Sequence, residues 1–209
     1  MLKKKTIITF GQFRQRFKYQ ENKKNQPIII KDGIKMSVYT DQQLAAKVAE
    51  LEEKYQRLED MEQIRQLKAR YFRFTDEKKW SDFADLFTKD AYIDADGTEY
   101  SGGGEAFAKM IAGLVGRAPS VHHGHMPEIQ MIDKENAEAV WAMEDLLTFP
   151  DAQDAYPGHN GYGQYHEKYK KVNGVWKISS MKLTRFRMDP LANWDPNTDP
   201  VTGEPVTGK

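Results

Sequence analysis

The strongest constraint on the fold is a hairpin signal late in the chain. Two long runs, Tyr162 to Val172 and Val175 to Met188, meet at Asn173-Gly174. Asn-Gly accepts the positive φ angles of a type I′ turn, whose twist matches that of the flanking strands. The preceding stretch reads as more of the same. Val121 to Ile132 is a strand, Asp133 to Asn136 a turn, and Ala137 to Phe149 a second strand, followed by a loop from Pro150 to Gly158.

The first half has a different period. Leu44, Val48, Leu51, Tyr55 and Leu58 step by four, three, four and three, the seam of an amphipathic helix beginning near Asp41. Packing on its own domain or on another subunit is the expected use of that seam. Asp60 is placed to cap a second helix with Met61, Ile64, Leu67, Tyr71 and Phe74 as its apolar stripe, ending near Thr75-Asp76. Ser81 is placed to cap a third, with Phe83, Leu86 and Phe87 inward. Ala91 to Ala95 reads as a short strand, Asp96-Gly97 as its turn and Thr98 to Ser101 as its return. Gly102-Gly103-Gly104 breaks the chain, and Glu105 to Val115 is a further helix. The triple glycine lacks the spacing of a dinucleotide fingerprint. Helices first and long antiparallel strands last predict an α+β fold, with helices on one face of a curved sheet and a pocket between them.

The absence of cysteine excludes disulfides, thiolate metal sites and cysteine nucleophiles, and fits a reducing compartment, so a cytoplasmic protein is expected. No apolar run is long enough to span a bilayer, and no membrane partner is expected. The net charge of zero hides an asymmetry. Residues 1–35 hold ten basic and two acidic residues, leaving 21 basic and 29 acidic in the rest. Such an arm can bind nucleic acid. It shows no sustained period, however, and Met36-Ser37-Val38 looks like a natural start. The favoured reading is an irregular extension or an upstream artefact of the gene model, with no nucleic-acid partner. Residues 36–190 form the expected domain. Residues 191–209, with Pro196, Pro200 and Pro205 and little apolar content, are an expected irregular tail.

Three of the five histidines fall in Val121-His122-His123-Gly124-His125-Met126-Pro127-Glu128-Ile129. Histidine is the side chain best suited to moving protons near neutral pH. Strict alternation groups His123 and His125 with Ile129 and Met131, and His122 with Glu128 and Gln130. Pro127 undermines that grouping, because proline in a strand marks bulges and edges. Periodicity therefore does not choose among the three. A metal site is weakly supported, since no carboxylate is placed with them. His159 and His166 give no cleaner signal.

Asp145 is the most informative single residue on physical grounds. It alternates with Ala139, Trp141, Met143, Leu147 and Phe149, so a carboxylate points with apolar side chains. That is costly unless it is paired, hydrogen-bonded or near cavity water. A partner arginine or tyrosine gives it a structural role; a pocket gives it a functional one. Asp76 stands at the expected helix end, where the dipole disfavours a carboxylate. Tyr71 lies on the apolar stripe. Spacing alone favours ordinary roles for both.

A resemblance adds to this. Ile64-Arg65-Gln66-Leu67-Lys68-Ala69-Arg70-Tyr71-Phe72-Arg73-Phe74-Thr75-Asp76, with Trp80 and Phe83-Ala84-Asp85-Leu86-Phe87, resembles the opening of SnoaL-like proteins of the nuclear-transport-factor-2-like superfamily. His122-His123-Gly124-His125-Met126-Pro127-Glu128-Ile129 resembles their histidine strand. Trp141-Ala142-Met143-Glu144-Asp145, Tyr165-His166-Glu167-Lys168-Tyr169 and Asn173-Gly174-Val175-Trp176 extend the likeness over roughly residues 44–190. Within the family, the bile-acid 7α-dehydratases are the enzymes it most resembles. The implied fold is a cone: long N-terminal helices over a strongly curved, mostly antiparallel sheet that encloses a pocket.

Carried over by motif, the catalytic residues implied are Tyr71, Asp76, His122 and Asp145. The substrate contacts implied are His125, Asp94, Trp141 and Tyr165. Asp94, before Gly97, stands where the dehydratases have a pocket tyrosine, and the loop at 151–160 also differs, so a bile acid is not implied. The implied activity is a cofactor-independent dehydratase or related isomerase acting beside a conjugated ketone of a small polycyclic, steroid-like or aromatic substrate. A His-Asp pair would be the base and a tyrosine the enolate stabiliser, with no metal or organic cofactor. The alternatives are a non-catalytic protein binding a small apolar ligand in the same fold, and an assembly role through the 44–58 seam. Family likeness and that seam together imply a homodimer or homotrimer.

Overall fold

The computed structural model describes residues 19–21, 27–31, 34–37, 39–116, 118–149 and 157–191. The expected tail from 192 on, residues 1–18 of the basic extension and most of the loop after Phe149 lie outside the described residues. The chain divides into two units, Met1–Gln56 and Arg57–Lys209.

In the first unit, β1 (Tyr19–Glu21), β2 (Pro27–Lys31) and β3 (Ile34–Ser37) form an antiparallel sheet in that order. This differs from the irregular extension expected there. The run Ile28-Ile29-Ile30 is β-branched throughout, and Met36, the expected natural start, lies inside β3 opposite Ile29.

Helix α1 spans Asp41–Asp76 without a break. Two helices were expected, with Asp60 as the cap of the second. No glycine or proline interrupts the stretch from Leu58 to Met61, and Asp60 is instead a buried mid-helix carboxylate. Trp176 Nε1 donates to it at 3.0 Å and Lys171 Nζ at 2.5 Å. Tertiary partners satisfy the side chain that a cap would have used. Thr40 and Gln43 cap α1: the Thr40 hydroxyl accepts from Gln43 N at 3.2 Å and the Gln43 amide oxygen from Thr40 N at 3.0 Å.

The second unit continues with α2 (Trp80–Ala84), β4 (Phe87–Ala95), β5 (Thr98–Tyr100), α3 (Gly103–Val115), β6 (Ser120–Gly124), β7 (Glu128–Met131), β8 (Asn136–Thr148), β9 (Gly158–Val172) and β10 (Val175–Pro190). Ser81 sits inside α2, whose N-cap is Lys79. The seven-stranded sheet is open and curved, in the order β5-β4-β10-β9-β8-β6, with β7 also on β8. All its pairings are antiparallel except β10 with β4. Asn173 and Gly174 have φ of 51° and 80°, and Asp96 and Gly97 of 52° and 84°, the left-handed pairs that both turns require.

The core lies between the helices and one face of this sheet. Tyr71 packs on Phe83 with ring centroids 5.0 Å apart, and Phe83 on Phe87 and Phe107 at 5.3 and 5.8 Å. Ile64, Ile93 and Ile178 are wholly buried. Each such side chain contributes about 1.5–3 kcal/mol through removal from water.

The expected strand from Val121 to Ile132 is two strands. Gly124 pairs with Met143 and Glu128 with Val140, so four steps on one strand face three on β8. One extra residue around His125–Pro127 slips the register. Inward positions are therefore His122 and Gly124 before the slip, and Ile129 and Met131 after it. Among the described residues no helix is long and apolar enough to cross a membrane.

Candidate active site

The site is built where α1 ends beside β6. Asp76 is the last residue of α1, and its carboxylate collects donors from the strand. His122 N donates to Oδ2 at 2.9 Å, Ser120 Oγ to Oδ1 at 2.9 Å, and His122 Nδ1 lies 2.6 Å from Oδ1. Lys78 Nζ reaches Ser120 Oγ at 2.6 Å, adding positive charge nearby. Burial alone would push the Asp76 carboxyl up. The side-chain and backbone hydrogen bonds from His122, its charge and Ser120 outweigh burial and hold it below the usual carboxylate range. The unfavourable helix terminus is thus offset by a specific partner. The His122 ring is largely enclosed, with its side chain 8% exposed.

Asp145 is directly opposite His122 across the β6–β8 ladder. It is fully buried, and Arg185 Nη2 donates to its Oδ2. Arg185 also bridges to Asp96 through its side chain, and its backbone N donates to Asp96 Oδ1 at 2.8 Å. His159 Nε2 stands 3.7 Å from Asp145 Oδ1. Burial and the Arg185 charge push the His159 imidazole down while Asp145 opposes them. Asp145 Oδ1 and Arg185 Nε are buried without a hydrogen-bond partner among the described residues. Gly161, opposite Asp145 on β9, makes room: a Cβ there would collide with Asp145 Oδ1 and crowd the Arg185 side chain at 3.0 Å. Gly124 likewise admits the Phe72 ring.

Tyr71 is buried in α1 with its ring 5.8 Å from that of Tyr165 on β9. Burial, then the charge of Glu167, raises Tyr71 above its ordinary range, so its hydroxyl stays protonated. Beneath both rings lies Lys68, fully buried, with Nζ 3.9 Å from the Tyr71 centroid and 3.5 Å from that of Tyr165. It bonds Glu167 at 2.5 Å. Burial lowers its ammonium to about 8, with Glu167 opposing. Tyr169 donates to Glu167 and accepts from Trp141 Nε1 at 2.9 Å.

Of the residues expected from sequence, Asp76 with His122 and Asp145 opposite His122 come together, and Tyr71 with Tyr165 lies within the electrostatic reach of Asp145. Trp141 is buried in the same wall. His125 does not join them: it is 58% exposed and shares Glu144 with His123, each at 3.6 Å. It follows His123 outward by the alternation of β6, and the slip after Gly124 separates it from the inward Ile129. Asp94 is also elsewhere. Its Oδ1 accepts from Gly97 N at 2.8 Å and its Oδ2 pairs with Lys182 at 3.2 Å, the role of a turn residue. Arg185, His159, Lys68 and Glu167 were not anticipated. A groove of about 680 Å³ lined by Tyr92, Val140, His166 and Lys182 lies on the sheet face away from this cluster.

A family model described as the SnoaL-like domain matches residues 56–182. The chain belongs to the SnoaL-like domain family. The SnoaL-like domain here is similar to a candidate cyclase of Gibberella zeae, 26% identical over 134 residues, which cover 59% of this chain and 89% of that protein. Among solved structures it is similar to a candidate scytalone dehydratase of Novosphingobium aromaticivorans, with a TM-score of 0.59, 19% identity, and coverage of 75% of this chain and 99% of the other. It is also similar to the type-3 hexachlorocyclohexane dehydrochlorinase of Novosphingobium barchaimii, with a TM-score of 0.61, 17% identity, and coverage of 68% and 97%. At these identities the structural likeness speaks for the fold alone.

Proposed function

We propose that this SnoaL-like domain is a cofactor-independent dehydratase, or a closely related isomerase, acting on a small, mostly apolar ring substrate beside a ketone. The observation that carries this reading is the 2.6 Å contact between His122 Nδ1 and Asp76. A carboxylate on Nδ1 fixes the tautomer and leaves the Nε2 lone pair as a base. His122 removes a proton from the carbon next to the carbonyl, and the electron pair moves to the carbonyl oxygen. Tyr71, kept protonated by burial, donates a hydrogen bond to that oxygen as it gains charge. The enolate then expels the hydroxyl one carbon further on, which takes the proton from the His122 imidazolium and leaves as water. Asp145 is held by Arg185 opposite His122. A carboxylate held by Arg185 is suited to accept a hydrogen bond from the departing hydroxyl and to aim the guanidinium at it. The dehydratase and dehydrochlorinase named among the structural neighbours are consistent with elimination chemistry on this fold.

The test is a screen of β-hydroxyketones followed by the rise of enone absorbance. His122→Ala and Asp76→Asn are expected to lower turnover by about 10²- to 10⁴-fold with the fold intact. Full turnover by His122→Ala on a confirmed substrate would overturn the assignment.

A further inference from the structure

The seam on the first half of α1 is exposed. Every residue from Tyr39 to Leu58 is exposed, including Leu44, Val48, Leu51, Tyr55 and Leu58 at 45–64%. The 4-3-4-3 spacing is a strict heptad, with Val48 and Tyr55 at a and Leu44, Leu51 and Leu58 at d. Beyond Leu58 the phase breaks: the next a and d positions are Glu62 and Arg65, and the buried residues of α1 begin at Asp60 on a different stripe.

The flanking charges say what fits this seam. The g positions are Lys47 and Lys54, and the e positions that follow the two a residues are Glu52 and Glu59. In a parallel two-stranded coiled coil each g residue meets the e residue five places on in the other helix. Lys47 then faces Glu52 of the partner subunit, and Lys54 faces Glu59 of the partner subunit. In an antiparallel pairing g meets g and e meets e, which sets lysine against lysine and glutamate against glutamate. The lysines now bridge to Glu50 on their own helix, at 2.7 and 2.5 Å. Those pairs are exposed, contribute little and exchange readily.

We propose that α1 docks on a second copy of this chain as a parallel, in-register, two-stranded coiled coil over residues 44–58. Leucine at every d position with a β-branched residue at the first a favours two strands. Two heptads are short for a free-standing coiled coil, but here they are the front of one unbroken helix that continues to Asp76.

The cysteine-free chain allows a direct test. Leu44→Cys, Leu51→Cys and the outward-facing Glu53→Cys are oxidised separately in the full-length protein and read on non-reducing gels, with far-UV circular dichroism confirming the fold. Covalent dimer from both leucine positions and not from Glu53→Cys supports the proposal. Cross-linking at only one leucine position, at neither, or equally at all three overturns it. A sedimentation mass of three chains overturns the two-stranded form. Reversing both lysines (Lys47→Glu with Lys54→Glu) is expected to weaken association by about tenfold or more. Mixing that variant with Glu52→Lys/Glu59→Lys is expected to restore a heterodimer. Unchanged association after the lysine reversal would also overturn the proposal, and neither result depends on the activity assigned to His122.

Discussion

At the scale of single residues, buried charge dominates. Lys68 and Glu167 are both fully enclosed in contact with each other. Removing one partner strands the other, so Lys68→Met is expected to cost about 3–5 kcal/mol, read from urea denaturation. The double variant Lys68→Met/Glu167→Leu is expected to recover much of that loss, and a double as unstable as the single would refute the pairing argument. Asp76 gives a pH signature. Its folded-state carboxyl is held below the ordinary value, so its contribution is complete above that value and is lost as pH falls through the depressed one. The stability gap between the wild type and Asp76→Asn should hold near pH 5 and close below about pH 4. A gap that persists to lower pH would show that the carboxylate is not what stabilises the contact. These charges were partly legible. Asp145 was found from strand parity because its apolar neighbours are all on one face. Lys68 carried a similar signal, lying four after Ile64 and three before Tyr71. Glu167 shares parity with Tyr165 and Tyr169, and Arg185 with Met181 and Leu183. They were missed because a long charged side chain on an apolar stripe usually snorkels to water, and only a tertiary partner tells otherwise.

At the scale of elements, the informative place is the slip between β6 and β7. Proline in the run showed that parity was unsafe, but not where the extra residue falls. That depends on pairing with β8, which local sequence does not encode. Met126 lies in the slip and is 93% exposed, so Met126→Ala should leave stability within about 0.5 kcal/mol. Deleting Met126 leaves three steps facing three, so His122 and Ile129 both stay inward by ordinary alternation and the domain should keep its fold; loss of the circular dichroism spectrum would count against the slip. Gly161 is the comparable position on β9. Gly161→Ala should impair turnover as well as stability, since its methyl would displace the Asp145–Arg185 pair. The unbroken α1 makes the complementary point: Asp60 reads as a cap locally, whereas its side chain meets Trp176 and Lys171, more than a hundred residues away.

At the scale of the whole molecule, order of elements was enough to anticipate helices on one face of a curved sheet, because helical and strand periods are cleanly segregated along the chain. The strand order was not available by that route. Beginning the chain at Tyr39 should leave the family domain folded and active, since the matched region starts at residue 56; loss of the circular dichroism spectrum would show dependence on the first unit. The sheet order has a consequence in time. The strand in the middle of the path, β10, is the last in sequence, lying between β9 and the much earlier β4. Until β10 is made, β4 and β5 form a hairpin without a sheet, and the apolar faces of Phe87 and Ile93 wait for Ile178 and Met181. Growth from the ribosome therefore cannot lay the sheet down strand by strand. Folding must await a late, long-range insertion, slow by its topology, with unpaired strand edges open to aggregation in the interval.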